Sequence, residues 1–247
     1  MIEVLNISKS FSGQKVLNDI STVFDKGKTN LIIGQSGSGK TILMKCCVGL
    51  TEIDHGKINF DDRCFSELSE KKKRATQKEM GVLFQGGALF DSFTVEDNVM
   101  FPLNMFTKMS LEEKNERVNF VLQRVNLINA NHKFPSEISG GMTKRVAIAR
   151  AIALNPKYLF CDEPNSGLDP KTAEVIDALI SDLTDEFQMT TVVNTHDMNS
   201  VLQIGQKIAF LHKGDLWWEG DKEGILKTDN KELNDFVFST ELTRRIK

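Results

Sequence analysis

A chain of 247 residues with 31 basic and 34 acidic side chains and a net charge of -3 can bury one full-sized core, or a core with a sub-lobe, and lacks the basic footprint of a dedicated nucleic-acid binder. Its four cysteines, Cys46, Cys47, Cys64 and Cys161, form no C-x-x-C pair, which argues against a disulfide framework or a zinc site and fits a reducing, cytosolic setting. Its apolar runs fall short of the ~20 residues that cross a bilayer, and Met1-Ile2-Glu3-Val4 has no signal-peptide shape, so any membrane role is expected to come through a partner.

Ile2 to Ile7 alternates apolar and polar residues and predicts a half-exposed strand, with Ser8 to Gly13 expected as a loop carrying one aromatic, Phe11. Val16 to Phe24 predicts a second strand, and Asp25-Lys26-Gly27-Lys28 a turn. Leu31-Ile32-Ile33 has the character of a buried strand. It feeds Gly34-Gln35-Ser36-Gly37-Ser38-Gly39-Lys40-Thr41, which fits the phosphate-binding pattern G-x-x-x-x-G-K-[ST]. Thr41 to Val48 predicts a helix that Gly49 stops. Where a strand hands over to a helix, backbone N–H groups and the positive end of the helix dipole converge, which suits a polyphosphate. The pattern assigns Lys40 to the β- and γ-phosphates and the Thr41 hydroxyl to Mg²⁺. It does not choose among kinases, GTPases, motors and transporters.

Asp54-His55-Gly56 is a turn with a solvated histidine, and Lys57 to Phe60 a short strand. Leu68 to Lys78 predicts a surface helix. Its basic run Lys71-Lys72-Lys73-Arg74, flanked by Glu67, Glu70 and Glu79, is a solvated face. Gly81 to Phe84 predicts a buried strand ending on Gln85. From Gly86 to about Pro156 strand-like runs vanish. Val95 to Met105 and Leu111 to Leu127 carry helical periodicity, Ser110 is an N-cap, and Ser139 caps a further helix that Asn155-Pro156 ends. Tyr158 to Cys161 resumes the strands and leads into Asp162-Glu163. Lys171 to Phe187 predicts a helix, Thr191 to Val193 a strand, Asp197 to Ile204 a short helix, and Ile208 to Leu211 with Asp215 to Glu219 a hairpin around Lys213-Gly214. Alternation along that hairpin buries one of Trp217 and Trp218 and exposes the other. The tail from Asp221 is polar and helical, with Phe236, Val237, Phe238, Leu242 and Ile246 among its charges. Strands alternating with helices predict an α/β fold with a mostly parallel sheet.

Four elements follow the phosphate loop in order. Gln85 ends a strand 45 residues after Lys40, Ser139-Gly140-Gly141 opens a helix 54 residues later, the strand Tyr158–Cys161 ends in two acids, and His196 follows Asp162 by 34 residues. Together with the loop, this order resembles the nucleotide-binding subunit of ABC transporters over nearly the whole chain. The resemblance implies a P-loop NTPase (RecA-like) core with an antiparallel β subdomain and an inserted α-helical subdomain. The ATPase domain would span 1–220, with the core in 1–86 and 156–220 and the helical subdomain in 87–155, and a helical extension would follow in 221–247.

The same resemblance implies the site. ATP and Mg²⁺ are the expected cofactors. Phe11 takes the place of an aromatic that stacks on adenine, with Val16 packing nearby. Gly34, Gln35, Ser36, Gly37, Ser38, Gly39, Lys40, Thr41 and Ile42 cradle the phosphates. Asp162 is similar to the Walker B aspartate that holds Mg²⁺ with Thr41 and Gln85. Glu163 is similar to the general base that polarises the attacking water. Gln85 resembles the Q-loop glutamine and His196 the switch histidine at the γ-phosphate. Ser139-Gly140-Gly141 resembles the family signature, with Met142 where glutamine is usual, and Asp169 belongs to a D-loop-like Ser166-Gly167-Leu168-Asp169. In the family the signature faces the γ-phosphate of the opposite subunit, so a two-fold homodimer sandwiching two ATPs is implied.

Gly86-Gly87-Ala88-Leu89-Phe90-Asp91-Ser92 resembles the ATPases of Mla-type, MCE-associated lipid transporters. That implies phospholipid movement between inner and outer membranes and a position on the cytoplasmic face of the inner membrane. The implied partners are permease subunits, an MCE lipid-binding protein and a small regulatory subunit, with no nucleic acid. Phe90, Phe93, Met100, Phe101, Met105 and Phe106 are candidates either for a groove receiving a permease helix or for the lobe's own core. The rivals are an ABC importer or exporter with another cargo, and a soluble ABC ATPase acting on DNA or ribosomes. The latter would carry coiled-coil insertions or paired ATPase domains that this chain lacks.

Overall fold

The computed structural model describes residues 1–238. The first strand, β1 (Ile2–Phe11), pairs antiparallel with β2 (Gln14–Phe24) and β4 (His55–Phe60), and β4 with the short β5 (Arg63–Cys64). Ile2, Val4, Ile7, Leu17, Ile20, Ile58 and Phe60 point to one side and are buried, as the alternation of a sheet solvated on its other face requires.

The second sheet has the order β10-β9-β3-β8-β7-β6. Its strands are β3 (Thr29–Ile33), β6 (Met80–Leu83), β7 (Tyr158–Asp162), β8 (Thr190–Thr195), β9 (Lys207–His212) and β10 (Asp215–Gly220). All pair in parallel except β9 with β10. Strands β3, β7 and β8 are buried on both faces, which is why each carries consecutive apolar residues, Leu31–Ile33, Tyr158–Cys161 and Val192–Val193. On one face Ile32, Phe160 and Val192 pack with Leu43 and Met44 of α1 (Lys40–Cys47) and with the antiparallel sheet. On the other, Leu31, Ile33, Leu159, Cys161 and Val193 share a core with α5 (Gly140–Ile152) and α6 (Pro170–Phe187).

A charged helix, α2 (Glu70–Gln77), precedes β6. Between β6 and α5 lie α3 (Val95–Phe106) and α4 (Leu111–Arg124), each opened by a reciprocal capping box, Thr94 with Asp97 and Ser110 with Glu113. These helices form the helical subdomain, fused to the sheet through α5. The last helices are α7 (Met198–Ile204), α8 (Lys222–Lys227) and α9 (Lys231–Val237). Ile225, Leu233 and Val237 join the core, so the tail packs on its own domain as far as it is described; Leu242 and Ile246 lie outside the described residues. Trp218 packs against the core, Trp217 is 43% exposed, and its Nε1 donates to Glu232 of α9 at 3.2 Å.

The structure corrects the sequence reading at several places, the first being the expected turn at His55 and Gly56, which instead open β4, with His55 paired to Ser8. The expected loop from Ser8 is strand up to Phe11, because Ser10 N–H is held by Asp54 Oδ2 at 2.7 Å and Phe11 pairs with Gln14. Strand β6 stops at Leu83, so Gln85 sits in a turn two residues past its end. Helix α4 ends at Arg124, and Asn126, at φ 55°, breaks the predicted run to Leu127.

Candidate functional site

The phosphate-binding loop spans the end of β3 and the start of α1. Gly34 has φ 149°, and a Cβ there would lie 2.2 Å from the Leu211 carbonyl oxygen, so only glycine lets β9 approach this closely. Gly39, at φ 106°, is the N-cap of α1, and no side chain bonds to the free N–H groups of that first turn. Those donors and the dipole behind them are left for an anion. The Lys40 side chain folds back over the loop, its Nζ donating to the carbonyls of Gly34 at 2.8 Å and Gln35 at 3.1 Å. Burial pulls its ammonium below the ordinary lysine value, and Glu163 and Asp162 oppose that shift.

Asp162 ends β7 directly beneath the loop. Thr41 Oγ1 lies 3.2 Å from both of its carboxylate oxygens, and Asn194 Nδ2 donates to Oδ1 at 2.9 Å. Among the described residues no cluster of three or more His, Cys, Asp or Glu side chains could hold a metal by itself. A hydroxyl and a carboxylate at this spacing are nonetheless the hard oxygen donors that suit Mg²⁺, which keeps most of its waters and takes few protein ligands.

Glu163 follows with φ 49°, a left-handed conformation that side chains other than glycine rarely adopt. Its N–H is fixed by the Asn194 carbonyl at 3.0 Å. Its carboxylate lies 2.8 Å from Nδ1 of His196 and 3.9 Å from Nζ of Lys40. Glu163 and His196 arrive from the ends of two adjacent parallel strands, β7 and β8. Gln85 approaches from the other side, its Nε2 donating to Ser166 Oγ at 3.3 Å.

These side chains line a cavity of about 720 Å³ together with Val16, Gln35, Ser36, Gly37, Gly39, Thr41 and Ile42. Asp235 and Phe236 of α9 line it too, and Phe236 packs on Phe210 with ring centroids 5.5 Å apart. Gly34, Ser38 and Asp162 are not part of that lining. Phe11 is not part of the lining. It is 44% exposed at the end of β1, with Lys9 Nζ 5.3 Å from its ring centroid.

Ser139, Gly140, Gly141 and Asp169 are likewise outside the cavity. Ser139 caps α5 by accepting from Met142 N–H at 3.3 Å, and Asp169 caps α6 by accepting from Thr172 N–H at 3.1 Å. The two caps are neighbours, since a Cβ on Gly141 would lie 2.7 Å from Thr172 Cγ2. The chain thus has a phosphate-loop cavity and, outside its lining, a pair of adjacent helix termini at Ser139 and Asp169.

Several partners escaped the sequence reading. Asn194, Lys144, Arg150, Asp235 and Phe236 carry no motif. Lys144 donates to the Gln85 carbonyl, and Arg150 holds the carbonyls of Gly87 and Ala88 at 2.7 and 2.8 Å, fixing the stretch that leaves the cavity. The signal available was the pair of cations Lys144 and Arg150 within α5. Burial pushes the Cys46 thiol to about 11 and those of Cys47 and Cys161 further up, so these cysteines serve as small core residues.

A second, apolar cavity of about 600 Å³ lies where the helical subdomain meets β6. Phe84, Ala88, Phe90, Phe101, Pro102 and Phe106 form its wall. Of the six candidate groove residues, Phe90, Phe101 and Phe106 line it. Phe93 packs on Phe90 at 5.1 Å, Met100 is buried in the core, and Met105 is exposed outside the lining.

Comparison with known proteins agrees with this geometry. The family model for ABC transporters matches residues 17–166. The methionine import ATP-binding protein MetN of Campylobacter jejuni is 37% identical, over 96% of this chain and 75% of that protein. The probable ribonucleotide transport ATP-binding protein mkl of Mycobacterium leprae is 36% identical, over 96% of this chain and 68% of that one. The dimeric structure of MJ0796, a bacterial ABC transporter cassette, aligns with a TM-score of 0.82 at 31% identity, over 90% of this chain and 99% of that chain. The same cassette is known in a post-hydrolysis state bound to ADP and Pi. With matches of this extent, the chain belongs to the ABC transporter family, as an ATP-binding, ATP-hydrolysing cassette.

Proposed function

We propose that this cassette works as a homodimer on the cytoplasmic face of an inner membrane, energising lipid transport through permease subunits. In that reading residues 1–220 are the ATPase domain, with 87–155 its helical subdomain, and 221–247 an extension. Lys40 and the free N–H groups of α1 bind the β- and γ-phosphates. Thr41, Asp162 and Gln85 would hold Mg²⁺, which would neutralise charge on the phosphate oxygens. Glu163 accepts a proton from the attacking water. His196 fixes that carboxylate from one side and presents its ring to the γ-phosphate. The transition state of phosphoryl transfer is loose, so positioning and charge stabilisation carry the rate. The Ser139-Gly140-Gly141 turn serves the partner's nucleotide, with Asp169 beside it at the same face. That neither helix terminus lines the phosphate-loop cavity of its own chain supports that division.

The observation that carries the transport reading is the path of residues 85–90. It starts at the nucleotide cavity on Gln85, is clamped by Lys144 and Arg150, and ends in the apolar cavity at Phe90. A permease helix seated there would move Gln85. The Gly86–Ser92 motif favours a lipid as cargo, and with it an MCE lipid-binding protein and a small regulatory subunit as further partners. A second reading, import of a small solute, is favoured by the names of the relatives, which give methionine and ribonucleotides as their cargoes. Purifying the tagged chain from its own membranes and identifying the copurifying proteins and bound lipids tests both. A permease with an MCE protein and phospholipid supports the first reading. A permease with a soluble solute-binding protein contradicts it.

A further inference from the structure

Behind Glu163 lies a buried carboxyl group that belongs to no motif. Asp177 sits in the middle of α6 and is 1% exposed. Burial pushes its carboxyl above the usual range, and Asp197 adds repulsion in the same direction. The groups directed at it are the side chains of Asn165 and Ser200. Asn165 is two residues beyond Glu163. Its Nδ2 donates to Ser200 Oγ at 3.0 Å. Ser200 belongs to α7, the helix that begins just after His196 and is capped by Asp197 through Asn199 N–H at 2.9 Å. Three side chains from the Glu163 loop, the His196 helix and α6 therefore meet in one cluster.

The loop around Asn165 has few other anchors. Tight turns fold it, with Ser166 N–H on the Glu163 carbonyl and Leu168 N–H on the Asn165 carbonyl, both at 3.1 Å. Outside the loop, its side chains bond to Gln85 and to this cluster. Glu163 meanwhile holds a strained backbone angle, which persists only where its surroundings enforce it. One oxygen of Asp177 and the amide oxygen of Asn165 are buried without a donor. A proton on Asp177, or an Asn165 amide turned over, supplies the missing hydrogen. Either way the cluster closes only if residue 177 carries a polar group.

We propose that Asp177 is a positioning residue for hydrolysis: through Asn165 and Ser200 it ties the Glu163 loop to the His196 helix and so holds these two side chains at contact distance. It touches neither nucleotide nor water. The proposal rests on the roles given above to Glu163 and His196.

The test is steady-state phosphate release and ATP affinity for Asp177→Ala, Asp177→Leu and Asp177→Asn, with Glu163→Gln run alongside. Loss of the tie should lower kcat about tenfold in the first two, less than the ~100-fold of a full ångström's misplacement, with KM and ATP affinity within about twofold. Asp177→Asn, which keeps an acceptor and adds donors, should recover kcat to within about threefold of the parent. Asn165→Ala should slow turnover as much as Asp177→Ala, and the double variant no further. If Asp177→Ala does not fold, Asp177→Asn and Asn165→Ala carry the same comparison. Unchanged kcat in Asp177→Leu or Asn165→Ala, or an Asp177→Asn as slow as Asp177→Ala, overturns the proposal. Full turnover in Glu163→Gln would instead defeat the underlying assignment of the base.

Discussion

Glu163 Oε2 and His196 Nδ1 stand 2.8 Å apart, although their residues close two different strands. The contact exists because β7 and β8 are parallel neighbours, pairing Asp162 with Asn194, so the chain leaves both strands at the same edge of the sheet. Ligands of open α/β sheets gather at that carboxyl edge. The pairing leaves one carboxylate flanked by an imidazole and by the Lys40 ammonium, beside a loop of unpaired N–H groups.

Replacing the carboxylate by its amide keeps the shape and removes the base. Glu163→Gln is expected to bind ATP as the parent does and to release phosphate ~100- to 1,000-fold more slowly, the scale of losing one preorganised electrostatic contact. Single-turnover phosphate release beside calorimetric ATP titration checks this. Turnover near that of the parent would remove Glu163 from the chemistry.

Lys40 predicts a different failure. Its ammonium is the one cation lining the phosphate end of the cavity among the described residues. Lys40→Ala should weaken ATP binding itself by roughly tenfold or more, since a charge-assisted hydrogen bond contributes about 1.5–3 kcal/mol. Calorimetry with ATP reads this directly, and unaltered affinity would contradict the assignment.

The apolar cavity predicts uncoupling without loss of binding. Phe106 is 46% exposed and Phe90 41%, so each tolerates replacement without opening the core. Phe90→Glu and Phe106→Glu should leave the affinity of the isolated chain for ATP within about twofold while abolishing transport in the reassembled transporter. A charge in an apolar contact loses the packing and is left desolvated. Transport surviving both changes would place the membrane contact elsewhere.

A pH-dependent contribution lies far from the nucleotide. Arg63 of β5 grips Glu79 with two hydrogen bonds, at 3.1 and 2.7 Å, and donates to Tyr158 of β7, joining the antiparallel sheet to the central one. The Arg63 guanidinium holds the Glu79 carboxyl below its ordinary value. A depressed carboxylate stabilises the fold above its unfolded value of about 4.3, and that stabilisation disappears as pH falls through the folded value. The pair is partly exposed and screened, so Arg63→Gln should cost at most about 1 kcal/mol at pH 7, or roughly 2–4 °C in Tm. Melting curves should show the gap closing between pH 5 and 3. A gap of equal size at pH 3 would assign the effect to packing on Tyr158.

What could be foreseen from sequence was what local chemistry fixes. The double-faced burial of β3, β7 and β8 leaves apolar runs, and the phosphate loop needs glycines where only glycine fits. Capping residues such as Ser110 and Ser139 sit where helices start. The loop expected at Ser8 failed because Asp54, far along the chain, supplies the bond that keeps it in the sheet. Asn194, Lys144 and the Asp177 cluster were invisible for the same reason: each is a polar residue whose partner arrives from another element. The tail was expected as helix, but no local pattern says that Asp235 and Phe236 reach the nucleotide cavity.

The division of labour between chains is the claim on which the rest depends. Light scattering on Glu163→Gln, with and without Mg²⁺-ATP, and on the same protein carrying Ser139→Arg, measures it. The account predicts a monomer that doubles its mass when ATP is added, and a Ser139→Arg variant that binds ATP yet stays monomeric. An ATP-loaded monomer of Glu163→Gln, or a Ser139→Arg variant that still dimerises fully, would contradict it.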